Sequence, residues 1–184
     1  NKPEIMAAFW NMFVIDALIA NKDRHLNNWG FLCADGQVTF SPVYDCGSSL
    51  HALLSDERCG ELLADYTEFK NQCFNAFSAY SYDGKRINCA DFFKTPIPPL
   101  EAAIKRMVPR IDMRKIREII ENTPYMSDVR KEFLFKSVAL RKELILDRAL
   151  KRCGRESFDD FFKNIAADQS NAPLPQRSRE DIER

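Results

Sequence analysis

Apolar residues recur at helical intervals from the start of the chain. Ile5, Ala8, Phe9, Met12, Phe13, Ile15, Ala17, Leu18 and Ile19 predict one buried helix from Pro3 to Asn21, with Pro3 where a first helical turn tolerates it. Such a helix delivers Asn21 and Asp23 to its C-terminal end. The period then shortens. Trp29 to Cys33 and Gln37 to Ser41 are β-favouring runs on either side of Ala34-Asp35-Gly36, and Asp-Gly between two such runs predicts a β-hairpin that leads into Pro42-Val43-Tyr44-Asp45.

Residues 46–60, rich in Gly, Ser and Asp, predict a functional loop or a pair of short turns. Tyr66, Phe69, Phe74, Phe77 and Tyr80 predict core-facing helical or turn structure, and Pro96, Pro98 and Pro99 a break. Beyond it the pattern is helical: Leu100 to Met107, a helix capped by Asp112 and running through Asn122, and a long helix capped by Ser127 that stops at Gly154. Val129, Phe133, Val138, Leu140, Leu144 and Ile145 form the apolar stripe of the last. Ser157 is placed to cap a short segment ending near Ala167, and 168–184 reads as a polar tail. The fold class expected is mainly α with a small β-hairpin, one domain over 1–167.

Composition narrows the function. The 184 residues are 45% hydrophobic and 29% charged, enough for a sizeable core. Lys plus Arg and Asp plus Glu both number 27, so no global field draws the protein to nucleic acid or to an anionic membrane. The apolar stretch from Ile5 to Ala20 is interrupted by Asn11 and Asp16 and is too short and too polar for a membrane span. Six scattered cysteines show neither a C-x-x-C pair nor zinc-ligand spacing, which predicts reduced thiols and a cytoplasmic protein.

Against that background one segment stands out. Phosphoryl transfer needs a carboxylate to accept or orient the proton of the nucleophile, and hard oxygen ligands to hold Mg²⁺ against nucleotide phosphates. Asp23 and Asn28 have the D-x-x-x-x-N interval that kinases use for the base and the second-metal Asn. The hairpin after Asn28 returns the chain to Asp45-Cys46-Gly47, which matches the D-F-G order. A helix end followed by a turn also carries Asp, Asn and His, but it does not account for a second Asp-x-Gly after a hairpin.

Asn21-Lys22-Asp23-Arg24-His25-Leu26-Asn27-Asn28-Trp29-Gly30-Phe31-Leu32 followed by Ser41-Pro42-Val43-Tyr44-Asp45-Cys46-Gly47-Ser48-Ser49-Leu50 resembles the C-terminal lobe of HipA-like bacterial serine/threonine kinases. That resemblance is specific over residues 9–50. It implies a toxin-type, ATP- and Mg²⁺-dependent kinase with a protein substrate and an antitoxin-like partner. In it Asp23 is the catalytic base, Asn28 and Asp45 are the Mg²⁺ ligands, and His25 and Tyr44 lie beside the nucleotide.

Arg24 is expected to pair with a carboxylate and brace the loop, His25 to be a scaffold or nucleotide contact, and Cys46 a small buried filler. Trp29, Phe31 and the aromatics between Tyr66 and Phe93 are expected in the core. Phosphatidylinositol kinases share the D-R-H-x-x-N loop, but residues 46–65 offer only Arg58 as a cation for an inositol phosphate headgroup. The third reading is a non-catalytic kinase-like binding module. The six glycines form no phosphate-covering loop, so the expectation is a fragment whose N-terminal kinase lobe precedes Asn1, binding ATP weakly and inactive by itself.

Overall fold

The first helix, α1 (Lys2–Ile19), is apolar all round, and its second half is buried at Met12, Phe13, Val14, Ala17 and Leu18. In the computed structural model, which describes residues 2–155, the later elements pack around that half. The chain divides into two compact units, Asn1–Lys151 and Arg152–Arg184; the elements described belong to the first, apart from the helical residues 152–155. The expected segment from Ser157 to Ala167 and the expected tail lie outside the described residues.

Strands β1 (Phe31–Ala34) and β2 (Gln37–Phe40) pair antiparallel with Phe31 opposite Phe40 and Ala34 opposite Gln37. Asp35 and Gly36 both have positive φ, 50° and 70°, the type I′ geometry whose twist suits a two-residue hairpin. Next come α2 (Asp56–Ala64) and α3 (Tyr66–Phe74), capped by the side chains of Ser55 and Asp65. The predicted loop therefore ends at Ser55, and its last five residues are helical.

A second hairpin follows that the sequence reading missed. β3 (Phe77–Tyr82) pairs with β4 (Lys85–Asn88) across Asp83-Gly84, again with both φ positive, 48° and 72°. Phe77 and Tyr80, expected in helical or turn structure, lie on this bulged strand. The short α4 (Cys89–Phe92) precedes the proline break, and α5 (Pro98–Met107) opens on Pro98-Pro99.

The Asp112 carboxylate caps α6 (Met113–Glu121), and Ser127 caps α7 (Asp128–Arg141), as predicted. After α7 the helix passes through a π-helical turn, Lys142–Asp147, spanned by an ion pair from Lys142 Nζ to Asp147 Oδ1 at 2.8 Å, and helical residues continue over 148–155, past Gly154. Among the described residues no helix is long and apolar enough to cross a membrane.

Two apolar clusters are prominent in the core. Phe13 stacks on Phe93 at 5.9 Å and meets Phe92 edge-on at 5.6 Å. Cys59, Leu62, Phe69, Cys73, Ile120, Phe133 and Leu134 join α2, α3, α6 and α7. Polar residues inside α1 have partners from elsewhere: Asn11 Oδ1 accepts from Arg106 Nη2 of α5 at 2.6 Å.

The end of α1 is fully satisfied. Ala20 is left-handed (φ 56°) and Asn21 N–H reaches back to Asp16 O at 2.9 Å, a Schellman closure. Arg141 donates Nε to Ala17 O at 2.7 Å and to Leu18 O at 3.2 Å, and Leu50 N–H donates to Ile19 O at 2.7 Å. All four terminal carbonyls thus have donors. Arg141 is 1% exposed; it also donates to Cys73 O, and burial lowers its pKa from the ordinary value. Among the described residues its hydrogen-bond acceptors include no carboxylate; the negative end of the α1 dipole takes that place.

Arg141→Met should therefore lower stability by on the order of 3 kcal/mol, by orphaning buried carbonyls rather than by losing packing. Urea unfolding of the two proteins checks this, and a change below about 1 kcal/mol would contradict it.

Candidate active site

Asp16 faces the core with 6% of its surface exposed, and a lone buried carboxylate is costly unless paired. Arg24, 1% exposed, meets it with a two-point fork: Nε to Oδ2 at 2.8 Å and Nη2 to Oδ1 at 3.0 Å. Asn21 Nδ2 donates to the same Oδ1 at 3.0 Å. Burial pulls the guanidinium pKa down, but the bonds and charge of Asp16 outweigh it and the pKa is raised. The brace expected of Arg24 is present.

The remaining donors of Arg24 set the site. Nη1 donates to Asn28 O at 2.5 Å and also to Tyr44 O, and Nη2 reaches Cys46 Sγ at 3.2 Å. One guanidinium thereby fastens the 21–28 loop and the 44–46 segment to the same carboxylate. Within the loop, Asn28 Nδ2 donates to Asp23 O at 2.7 Å, His25 N–H to Asp23 O at 2.8 Å and Asn28 N–H to His25 O at 3.0 Å, closing a 3-10 turn over Leu26–Asn28. Tyr44 OH donates to Asn27 O at 3.2 Å, a second tie between the two segments.

Each predicted site residue can now be placed. The Asp23 side chain is half-exposed, and His25 Nε2 stands 3.7 Å from its Oδ1. His25 Nδ1 accepts from Asn27 N–H at 3.3 Å, so the ring is a scaffold for the turn. Asn28 is buried; with Nδ2 engaged, its Oδ1 is the oxygen left to act as a ligand. Asp45 is exposed and left-handed (φ 52°), a region that few residues other than glycine enter, Asp and Asn more readily than most. Tyr44 is half-exposed. Cys46 is exposed rather than a buried filler, because its contact with Arg24 holds it at the rim.

An amide oxygen and a carboxylate are hard ligands of the kind Mg²⁺ takes, so the donor chemistry of Asn28 and Asp45 fits that ion. Among the described residues no group of three or more His, Cys, Asp or Glu could hold a metal without help.

Two cavities adjoin the site, and the neighbours Cys46 and Gly47 line one each. The larger, of about 650 Å³, is apolar and runs between α1 (Met12, Ile15) and the hairpin with the segment after it (Leu32, Phe40, Val43). The hairpin around it is exposed, Phe31 at 49% and Leu32 at 54% included, so Phe31 is not the core residue expected. Tyr66 and Tyr82 likewise lie at the surface. The smaller cavity, about 410 Å³, is lined by Lys22, Asp23, Gly47, His51 and Gln72 among others.

Three residues that hold the site escaped the sequence reading. Asp16 was visible only as an acid interrupting an apolar helix, and Arg141 and His51 carried no local signal. His51 is 8% exposed, and burial first, then the charges of Lys22 and Arg141, push its pKa down to about 4.

These features agree with what the chain is similar to. It matches the HipA-like C-terminal domain over residues 1–123, and it belongs to that family. It is 40% identical over 193 residues to the serine/threonine-protein kinase CtkA of Helicobacter pylori, an alignment covering 97% of this chain and 59% of that protein. It also superposes on the crystal structure of the Helicobacter pylori proinflammatory kinase CtkA with a TM-score of 0.79 at 40% identity, covering 83% of this chain and 53% of that one. The fold is a C-terminal kinase-like lobe, and the chain spans a little over half the length of these relatives.

Arg24→Lys keeps the charge but cannot span Asp16, Asn28 O and Tyr44 O together. It should cost about 2–4 kcal/mol and speed amide hydrogen exchange at 23–28 and 44–46 first; uniform exchange across the chain would contradict the tie. His51 gives a pH test. Its folded pKa of about 4 lies below the ordinary 6.5, so the unfolded chain takes the proton first and stability falls as pH drops through that window. The slope should reach about 1.4 kcal/mol per pH unit, and His51→Gln should flatten it; an unchanged slope between pH 6.5 and 4.5 would refute the assignment.

Proposed function

We propose that the chain is the catalytic part of an ATP- and Mg²⁺-dependent protein kinase that phosphorylates serine or threonine hydroxyls. The observation that carries this reading is Arg24 bonded at once to Asn28 O and to Tyr44 O, which joins the Asp23 loop to the Asp45 segment while leaving the Asp23 carboxylate open. In this reading Asp23 accepts or orients the proton of the acceptor hydroxyl. Asn28 and Asp45 hold the cation, which when bound neutralises charge on the transferring phosphoryl group. Their role is positional: Arg24 and Tyr44 OH fix how the base and the two ligand oxygens stand to one another before any substrate arrives.

The apolar cavity along α1 and the hairpin suits a nucleoside base, with Leu32 and Val43 as walls. His25 and Tyr44 belong to the nucleotide side by the same reading. The relatives' extra length leaves room for a lobe that would cover this cavity and the exposed hairpin. A protein acceptor is favoured over a phosphoinositide because Arg58, the one cation in 46–65, is already engaged by Glu61 at 2.8 Å and Glu68 at 2.9 Å. Six cysteines in thiol form, four of them buried, support a reducing, cytoplasmic setting.

The test is a full-length protein given labelled ATP, Mg²⁺, protein acceptors and phosphoinositides. Label should enter serine or threonine of protein, and Asp23→Ala should reduce it by roughly 10²-fold or more. Label on lipid alone would overturn the choice of acceptor, and no Asp23-dependent label on either would overturn the kinase reading.

A further inference from the structure

The smaller cavity has a chemistry of its own. Asp23 stands on its wall with Lys22 beside it, and the far side is built by His51 and Gln72, with Leu53 and Leu54 as an apolar lip. His51 reaches its place through two successive left-handed residues, Leu50 and His51, both at φ 55°, a backbone that non-glycine residues adopt only when the surroundings impose it. Its ring packs edge-on to Phe133 at 5.6 Å. Gln72 Nε2 lies 3.3 Å from His51 Nδ1. An amide nitrogen can only donate, so Nδ1 accepts and the neutral ring carries its proton on Nε2, which is buried and has no acceptor.

The electrostatic consequence is a positive bias. Lys22 and Arg141 both act on His51 with positive charge, and Gln72 keeps a second N–H to offer. Among the described residues on the wall Asp23 is the one carboxylate, and the proposed function already commits it to the acceptor hydroxyl.

We infer that this cavity receives the segment bearing the acceptor hydroxyl and selects an acidic side chain next to it, with the Lys22 ammonium and the Gln72 amide as its partners. The inference rests on the kinase reading for the identity of the ligand. His51 is a positioning residue: it holds the Gln72 amide from behind and stays neutral, so that it does not compete as a base. A lysine at the same place in the acceptor would meet Lys22 with like charge, and the carboxylate on that wall, Asp23, is the one committed to the acceptor hydroxyl.

Three serine peptides of equal length, differing only in Glu, Gln or Lys beside the serine, test this on the full-length protein by fluorescence anisotropy and by phosphate transfer. The Glu peptide should bind roughly tenfold tighter than the Lys peptide. Lys22→Met and Gln72→Leu, both at partly exposed positions, should each bring that ratio below about threefold. Equal binding of Glu and Lys peptides, or a ratio that neither variant moves, overturns the inference even where transfer occurs. A Glu preference that both variants lower, but with no Asp23-dependent transfer to any peptide, keeps the cavity as an acidic-peptide site and overturns the kinase reading instead.

Discussion

A carboxylate and a guanidinium removed from water need each other, and Asp16 and Arg24 are both nearly inaccessible. Their pairing reaches beyond themselves because a guanidinium has five donors and Asp16 occupies only two of them. The others go to Asn28 O, Tyr44 O and Cys46 Sγ, on two segments separated by a hairpin. Were the pair replaced by apolar residues of equal volume, the core would fill as well, yet both segments would lose their common anchor. Stability is therefore a weaker reason for this buried pair than geometry.

That anchor works only if the end of α1 is itself fixed, since Asp16 lies in its last turn. A helix end with frayed carbonyls would let the carboxylate wander by more than a hydrogen bond tolerates. Here Asn21, Arg141 and Leu50 supply donors to the four terminal carbonyls from three places in the chain. Arg141 comes from α7, more than a hundred residues away, and ties α1 to α3 through Cys73 O. The helical bundle thus acts on the site through one helix end, and the loop that follows needs little internal structure beyond a single 3-10 turn.

Much of this was legible from local chemistry. The α1 pattern, the Asp35-Gly36 hairpin and the Asp112 and Ser127 caps depend on neighbours in sequence, and each formed where its residues predicted it. The second hairpin was missed although Asp83-Gly84 carries the same signal, because the aromatic run before it fits helical spacing as well as strand alternation. The partner of Arg24 could be expected in kind but not in place, since pairing Asp16 with Arg24 requires the chain to reverse after Ala20. His51 and Arg141 were illegible, because only tertiary packing buries them. Exposure of Phe31 and Cys46 was illegible for the converse reason: nothing local states which faces remain uncovered.

The distribution of oxygens at the site has one more consequence for the proposed chemistry. Two protein ligands, one of them a neutral amide, are too few to satisfy a cation that demands six oxygens and gives up water reluctantly. Asp23 cannot be counted as a third without giving up its part in handling the acceptor proton. On this reading the protein has little affinity for the ion alone, and the phosphates must bring most of its coordination with them. Asn28 and Asp45 would then discriminate the position of an ion already bound to its nucleotide. Rigidity matters more than ligand number in such an arrangement, which is why so many donors of one buried arginine are committed to holding two backbone carbonyls still.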